Sequence, residues 1–427
     1  MYYTNIMKIT ISIILLSLAS IIKPDEVFSL PNQENKLRST IHSVFITNSL
    51  DQDNKSTRII KVPSEFSTIG KAVMNANDGD WIVISPGKYY ENSIEIDKVI
   101  TVSSEWKLTG DAAKIEETII DARDKSLFAI KANGVEISGL TIVNGNHPLD
   151  ISVKVSIMHN HFINNLDAIS FEGSGGGYAG YNTIENDRDD GIDLDIRKGG
   201  KDTGSDITVE YNKIINSNDD GIEIRLFDYP TQNIKYNIQN NIISGSKNAG
   251  IQLISYDIFT GKEFKIHHNI LRDCKVGLGC MEGANTKENL NGASTMDEQI
   301  YFYNNTLSDN QIGATGGNCV YAMNNVVMNN KLGGFKRFSK GSAIINNLFF
   351  KNGGTDFIEL AEKVINRSNL FGQDPLLDKN TFAPLANSPC INSGEKYLDL
   401  TGKRIIDINR KNFVGNKPDL GAVEFKK

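Results

Sequence analysis

The feature that most constrains this fold is a short phrase that recurs along the chain: an asparagine, any residue, then an apolar residue. Eight copies begin at Asn160, Asn182, Asn212, Asn241, Asn269, Asn305, Asn325 and Asn347. Successive copies lie 20 to 36 residues apart. Repeats of this length are typical of solenoids, in which each repeat forms one coil and stacks on its neighbours.

Most of these asparagines are followed, eight or nine residues later, by a glycine: Gly191, Gly221, Gly250, Gly277, Gly313 and Gly333. The segments between are short, apolar and punctuated by Gly, Asn or Asp, which favours coils of parallel β-structure. Equivalent positions then stack at the strand spacing of about 4.8 Å. We expect the asparagines to form a side-chain ladder and the glycines to adopt left-handed turn conformations.

Both ends of the repeat region carry further signals. Residues 67–76 predict a short helix capped by Ser67, residues 79–91 look like a first coil, and residues 388–394 and 419–424 look like a closing segment. Together with the repeat, they resemble the right-handed parallel β-helix proteins of the pectin-lyase-like superfamily. The resemblance implies an all-β chain: a single-stranded right-handed parallel β-helix solenoid over residues 59–375, with a short N-terminal capping helix and a closing segment over 376–427.

The N-terminus predicts export. Lys8 precedes an apolar run over residues 9–22, which is shorter than the roughly 20 residues that span a bilayer. We interpret residues 1–29 as a signal peptide and 30–58 as a linker, and expect a secreted or periplasmic protein without stable membrane insertion. An uncleaved anchor is the alternative.

Charge and cysteines limit the partners. The formal net charge of −7 and the absence of a basic face argue against a nucleic-acid partner. We expect a monomer. The four cysteines, Cys274, Cys280, Cys319 and Cys390, match no zinc pattern and either pair or stay free.

The most unusual stretch holds two copies of one acidic phrase, at residues 189–195 and 219–225, thirty positions apart. In a β-helix the two copies occupy neighbouring coils, with Ile192, Leu194, Ile222 and Ile224 pointing inward. One outer patch then carries seven carboxylates: Asp189, Asp190, Asp193, Asp195, Asp219, Asp220 and Glu223.

Such a patch requires positive charge. Two carboxylates about 5 Å apart repel by about 3 kcal/mol at an effective dielectric of 20. Arg225 neutralises only part of this charge, and a hard cation with oxygen ligands, Ca²⁺ above all, fits best. For Asp190 and Asp220 alone, the alternative is an ordinary turn residue before glycine.

The phrase Asp189-Asp190-Gly191-Ile192-Asp193 also resembles the calcium-binding phrase of the family nine pectate lyases. The resemblance implies Ca²⁺ held by Asp189, Asp190, Asp193 and, from the preceding coil, Asp167. It implies β-elimination on a uronic-acid polysaccharide, with a lysine as base. Lys247 and Lys275 lie just past the patch and are the base candidates. Arg225 is a third catalytic candidate, suited to binding a substrate carboxylate.

Long segments after the strands predict the walls of a groove. Basic and aromatic residues in them suit an acidic sugar chain. With Asp195, the substrate-binding candidates are Arg197, Lys198, Tyr229 and Tyr256.

Two other functions stay open. A glycoside hydrolase would use a carboxylate pair, for example Asp190 with Asp220, although the Gly-His-Gly phrase of polygalacturonases is absent. The Asp-Pro-His phrase expected of a mannuronan epimerase is not reproduced at residues 146–148. The chain could also be a non-catalytic surface solenoid that binds glycans.

Overall fold

The structure, a computed structural model, describes residues 57–195, 206–226, 234–256, 259–283, 287–293 and 295–426. The predicted signal peptide and nearly all of the predicted linker lie outside these residues, as do Arg197, Lys198 and Tyr229. Across the described residues, no helix combines the length and the apolar character that a membrane span requires.

Short strands line three sides of each coil, and each side extends along the molecule as a parallel sheet. The first sheet has 13 strands, the second 12 and the third 11. Neighbours within a sheet come from successive coils, which is the topology of a parallel β-helix. The predicted fold class is confirmed.

The strand bounds, in spatial order, are as follows. The first sheet comprises Ile59–Val62, Trp81–Ile84, Thr101–Ser104, Glu136–Ser138, Lys154–Met158, Gly176–Gly180, Ile207–Glu210, Lys235–Gln239, Glu263–His267, Gln299–Tyr303, Val320–Met323, Ala343–Ile345 and Ile365–Arg367. The second comprises Gly87–Tyr89, Thr118–Asp121, Thr141–Val143, His161–Ile163, Thr183–Glu185, Lys213–Ile215, Ile242–Ser244, Ile270–Arg272, Thr306–Ser308, Val326–Met328, Leu348–Phe350 and Leu370–Phe371. The third comprises Ile94–Ile96, Phe128–Ile130, Leu149–Ile151, Ile169–Glu172, Ile192–Asp195, Ile222–Leu226, Ala249–Ser255, Val276–Glu282, Ile312–Thr315, Gly333–Lys336 and Thr355–Ile358.

Three short helices lie in the first third of the described chain: Ile69–Asn75, Trp106–Thr109 and Ala113–Glu117. The first is the predicted capping helix, and its apolar face packs against the first coils. Its N-cap is Thr68, whose side chain accepts the Lys71 backbone N–H, one residue after the predicted cap. A 3₁₀ turn at Arg410–Asn412 lies near the C-terminus.

The interior is one apolar column that runs the length of the solenoid. Alternate residues of every sheet point into it, and the predicted inward residues Ile192, Leu194, Ile222 and Ile224 are fully buried there. The cysteines are free thiols; Cys319 is half-buried, whereas the other three are buried.

The predicted asparagine ladder is present and stacks one side chain per coil. Asn182 is representative: its Oδ1 accepts the Asn160 backbone N–H at 3.0 Å, and its Nδ2 donates to the Ile157 carbonyl at 3.0 Å. The ladder continues one coil beyond the predicted copies, to Asn369. Each amide thus satisfies buried backbone groups that the turn leaves unpaired.

The prediction of left-handed glycines is wrong for the glycines that recur in the repeat. The glycines at 191, 221, 250, 277, 313 and 333 have no positive φ, whereas residues such as Tyr181, at φ 57°, adopt that conformation. Close packing between coils explains the glycines instead. A Cβ on Gly191 would lie 2.7 Å from the Gly221 carbonyl oxygen, and one on Gly221 would lie 2.6 Å from that of Gly250.

The closing segment covers a flank of the late coils. It contains an antiparallel pair, Tyr397–Leu400 with Lys403–Asp407. Three stacked asparagines hold its backbone: Asn304, Asn324 and Asn346 donate to the carbonyls of Asp419, Glu395 and Ser393 at 2.7, 2.8 and 2.9 Å.

Candidate metal centre

The two acidic phrases lie on neighbouring coils of the third sheet, as their spacing predicts. Strand Ile192–Asp195 pairs in parallel with Ile222–Leu226, and Asp193 lies opposite Glu223. Because inward and outward positions alternate along a strand, these two carboxylates share the outer face of the sheet.

The outer face carries a polar column that is withdrawn from water. Ser170, Asp193, Glu223 and Gln252 follow one another along four coils. Asp193 is 4% exposed and the other three are fully buried. Carboxylates this deeply buried are rare unless they are paired or bind a cation.

A second column, just before the recurring glycines, forms a ladder of aspartates. Oδ1 of Asp167 accepts the Asp190 backbone N–H at 2.9 Å, and Oδ1 of Asp190 accepts that of Asp220 at 2.8 Å. Oδ1 of Asp220 accepts the Ala249 backbone N–H at 2.6 Å. One oxygen of each aspartate therefore caps a turn, which is the ordinary turn role considered for Asp190 and Asp220.

His147 stands at the start of this ladder and was not predicted. Its Nδ1 lies 2.9 Å from Asp167 Oδ2, and this hydrogen bond raises the pKa of His147. Asp150 pairs with Ser170, so His147 occupies the position of Asp167 one coil earlier. Extending the aspartate column back by one coil would have identified it. Both oxygens of Asp167 therefore have partners other than a cation.

Seven carboxylates form three overlapping triads, within each of which the ligand oxygens lie within 4.8 Å of one another. The triads are Glu172–Asp193–Asp195, Asp189–Asp190–Asp219 and Asp190–Asp193–Glu223. They bring together five of the seven predicted metal residues. Asp167 and Asp220 remain in the ladder, while Glu172 joins from the preceding coil.

Several buried oxygens in this region have no hydrogen-bond partner in the part of the chain that the structure describes. They are Asp193 Oδ1, Asp219 Oδ1, Asp220 Oδ2 and Glu223 Oε1. A buried carboxylate oxygen without a donor is strongly destabilising unless the group is protonated or faces a cation. An all-oxygen donor set of this kind fits a hard cation such as Ca²⁺.

The pKa values of these carboxyl groups reflect their burial and the lack of hydrogen-bond donors. Burial and neighbouring carboxylates raise the pKa of Asp190, Asp193 and Asp220 well above the usual range. Burial raises the pKa of Glu223 to about 8, although Arg225 opposes the shift. Burial and then Asp189 raise that of Asp219 to about 6. Without a cation, protons therefore compete for these oxygens near neutral pH.

Arg225 supplies positive charge at one side of the cluster. Its Nε lies 2.6 Å from Glu223 Oε2, and its Nη1 lies 3.1 Å from Asp195 Oδ2. Burial lowers the pKa of Arg225, but its acidic neighbours, Glu223 and Asp195 foremost, together raise it by more, so the guanidinium stays charged. Tyr256 is close enough to add to this effect.

The two lysines predicted as bases lie at the margin. Lys247 is exposed, and its Nζ contacts Asn218 Oδ1. Lys275 is half-buried, and its Nζ contacts the Glu288 carbonyl. A third, Lys287, opposes the rise in the pKa of both Asp189 and Asp219, so its charge acts on the cluster. Sequence reasoning missed Lys287 because it lies in a long segment after a strand.

Comparisons with known proteins agree with the fold. A family model described as a right handed beta helix region matches residues 106–260, so the chain has the predicted right-handed parallel β-helix. No curated protein matches the sequence.

Several solved structures are similar at low identity. The pectate lyase Pel9A is 15% identical, with 87% of this chain and 97% of that chain covered, at a TM-score of 0.44. A GH87 α-1,3-glucanase from Streptomyces thermodiastaticus is 13% identical, with 71% of this chain and 66% of that chain covered, at 0.46. A mannuronan C-5 epimerase module from Azotobacter vinelandii is 12% identical, with coverages of 74% and 100%, at 0.45.

Proposed function

We propose that this protein is an exported, calcium-dependent lyase that cleaves a uronic-acid-containing polysaccharide by β-elimination. The observation that carries the proposal is the pair Asp193 and Glu223. These carboxylates lie opposite each other on neighbouring coils, are buried, and retain oxygens without hydrogen-bond partners among the described residues. The predicted signal peptide fits a polymer substrate outside the cell.

Asp190, Asp193 and Glu223 are the residues that would hold the cation, because their oxygens form one triad. Bound Ca²⁺ would bind a uronate carboxylate and acidify the proton on the adjacent carbon. Arg225 is held by Glu223 and Asp195 with a quarter of its side chain exposed. It is therefore placed to donate hydrogen bonds to a carboxylate of the substrate.

The base must lie near the substrate and be partly deprotonated. Arginine is a poor base because its pKa is too high. Among the three lysines on this side, Lys287 is favoured over Lys247 and Lys275 by its position alone, because it lies near enough for its charge to act on two carboxylates of the cluster. Asp195, Tyr256, Arg197, Lys198 and Tyr229 remain the proposed substrate-binding residues.

The test is turnover of a panel of uronate polymers by the purified chain, with Ca²⁺ or with a chelator. A lyase produces an unsaturated product that absorbs in the ultraviolet. We expect absorbance to rise only with Ca²⁺, and only with Glu223 intact. No absorbance on any polymer, in wild type as in Glu223→Gln, would contradict the proposal and favour a non-catalytic glycan-binding solenoid.

A glycoside hydrolase is the second candidate. The observation that favours it is the pKa of Glu223, raised to about 8 by burial, since a carboxyl group that keeps its proton at neutral pH can act as a general acid. Asp193, opposite it on the preceding coil, would be its partner. Release of reducing ends without ultraviolet absorbance, and without a calcium requirement, would identify this reaction.

A further inference from the structure

We propose that the outer face of the first sheet carries a glycan-binding platform, at which the ring of Tyr178 stacks on one neutral sugar residue of a polysaccharide. The acidic cluster lies on the third sheet, so this inference goes beyond the proposed lyase and does not depend on it. The platform is marked by a run of five glycines in the eight residues from Gly173 to Gly180.

The glycine-rich strand of the first sheet carries Tyr178 as its one outward side chain. Outward positions alternate along a strand, so Gly176, Tyr178 and Gly180 share the outer face. Ser156 and Thr208 pair with Tyr178 from the two neighbouring coils. The tyrosine is therefore flanked by glycines along its own strand and by short hydroxyl side chains across the sheet.

The tyrosine ring lies flat on the sheet. A Cβ built on Gly180 would lie 2.3 Å from Tyr178 Oη and 2.4 Å from the ring carbon Cζ. The phenol end therefore covers Gly180, and one face of the ring packs against the backbone there. Because the side chain is only half-buried, its exposed part is the opposite face.

Hydrogen bonds at the edge of the ring hold it in this orientation. Tyr178 Oη donates to Glu210 Oε1 at 3.2 Å, and Gln239 Nε2 donates to Glu210 Oε2 at 2.5 Å. Burial, and then Glu210, raise the pKa of Tyr178, so the phenol keeps the proton that it donates. Each carboxylate oxygen can accept more than one hydrogen bond, so Glu210 retains acceptor capacity beside the ring.

A hollow of about 450 Å³ opens beside the tyrosine, within the roughly 300–1,000 Å³ that is typical of ligand sites. The polar residues in its lining are Lys154, Ser156, Tyr178, Asp206 and Thr208. A ligand seated there would place one apolar face on the ring of Tyr178 and hydrogen-bonding groups around its own edge.

A pyranose sugar with equatorial hydroxyls has this distribution of polar and apolar groups. Its axial C–H groups form a flat apolar face, which packs on the electron-rich face of an aromatic ring. Its hydroxyls point outward from the rim of the sugar, towards acceptors such as Glu210 and Asp206. These two carboxylates outnumber the ammonium group of Lys154 and repel an acidic sugar, so the platform favours a neutral one.

The aromatic residues at the nearby corner of the coil are arranged differently. Tyr181 and Tyr211 stack with ring centroids 4.8 Å apart and an interplanar angle of 7°. His159 stacks on Tyr181 from the preceding coil at 4.9 Å. Both faces of Tyr181 are therefore covered by other rings, whereas Tyr178 turns one face to solvent.

The test is calorimetric titration of the purified chain with hexasaccharides of cellulose and of xylan, which consist of neutral sugars with equatorial hydroxyls. We expect wild type to bind at least one of them, and Tyr178→Ala to weaken this binding about tenfold or more. Tyr178→Phe should retain most of the affinity, because it keeps the ring face. Binding of neither hexasaccharide by wild type, or equal affinity in wild type and Tyr178→Ala, would overturn the inference.

A second substitution tests the flat orientation of the ring. Gly180→Ala keeps the tyrosine, but the new Cβ would lie 2.3 Å from Oη and would lift the ring off the sheet. We expect it to weaken binding as Tyr178→Ala does, and it carries the test if Tyr178→Ala fails to fold. Wild-type affinity in a folded Gly180→Ala chain would contradict the proposed geometry.

Two control variants separate the platform from adsorption and from the acidic cluster. Tyr397 is 41% exposed, but the Arg404 guanidinium lies 3.7 Å from its ring centroid, so Tyr397→Ala should bind like wild type. Glu223→Gln should also bind the neutral hexasaccharides like wild type, whether or not the chain proves to be a lyase. A loss in either control equal to that in Tyr178→Ala would reject the platform.

Discussion

Two of the side-chain ladders along this solenoid satisfy backbone groups with different chemistry. In the asparagine ladder, Asn212 Oδ1 accepts the Asn182 backbone N–H, and its Nδ2 donates to the Ala179 carbonyl. In the aspartate ladder, Asp190 Oδ1 accepts the Asp220 backbone N–H, so the accepting side chain lies on the earlier coil and not on the later one. Both satisfy buried backbone donors at a corner of the coil.

The two ladders differ in the side-chain groups that remain after each residue has accepted a backbone N–H. An amide offers one acceptor and one donor group, and each asparagine uses both. A carboxylate uses one oxygen as a cap and keeps a second oxygen and a charge, as Asp220 Oδ2 illustrates. The side chains at the asparagine corner therefore have all their hydrogen-bonding groups paired. At the aspartate corner, the remaining oxygens and their charge are satisfied only by protons or a cation.

The largest effect should come from breaking the asparagine ladder. Asn212→Ala removes hydrogen bonds to three neighbours and leaves a buried N–H unpaired, so we expect a loss of about 3 kcal/mol of stability. Urea unfolding measures it. The loss should be the same with and without Ca²⁺, and Lys213→Ala, at an exposed position of the same coil, should change little. A loss that Ca²⁺ reverses would mean that the two ladders are not independent.

Glu223→Gln should remove most of the stabilisation that Ca²⁺ gives, because affinity follows the number of charged ligands; we expect affinity to fall about tenfold or more. The shift of the melting temperature by Ca²⁺ measures this effect. Glu95 points outward from the same sheet and is exposed. Glu95→Gln should therefore melt like wild type under both conditions, and an equal loss in both variants would argue against a specific site.

The fall of stability with rising pH should be smaller with Ca²⁺ than without it. The pKa of Glu223 rises from 4.5 in the unfolded chain to about 8 in the fold, so the folded state holds the extra proton. In the presence of a chelator, the contribution of Glu223 to the free energy of unfolding is fully present below pH 4.5 and is lost as the pH rises through about 8. Saturating Ca²⁺ should oppose this loss, because the cation binds the deprotonated form. Urea unfolding across this range measures both curves, and Glu223→Gln should flatten their difference.

The smallest effect should come from Lys247. It is exposed, and its Nζ contacts Asn218. We expect Lys247→Met to leave turnover and calcium affinity nearly unchanged, and Lys287→Met to reduce turnover much more. Equal turnover in the two variants would reject Lys287 as the base.

The sequence predicts the stacking of the asparagine ladder well, but it predicts poorly the contacts that other coils make with the repeated residues. The asparagines repeat with a regular context, so their stacking follows from the period alone. The glycines repeat equally well, but the cause is the approach of the next coil, which no pattern shows. The register of Asp193 and Glu223 follows from their spacing, whereas their burial depends on side chains from other coils.

The position of single residues around the cluster was the hardest to anticipate. His147 belongs to the aspartate column, but it is not acidic, so a search for carboxylates passes over it. Lys287 reaches the cluster from a segment whose length differs between coils, so coil alignment cannot place it. Conversely, the resemblance implies Asp167 as the calcium ligand from the preceding coil, yet its two oxygens contact His147 and the Asp190 backbone.

The most direct test is a crystal grown with Ca²⁺ and examined by anomalous scattering. A peak between the carboxylates of Asp190, Asp193 and Glu223, absent from crystals of Glu223→Gln, is the expected result. An empty cluster in wild-type crystals at saturating Ca²⁺ would show that protons alone balance these carboxylates, and the aspartate corner would then be as purely structural as the asparagine corner.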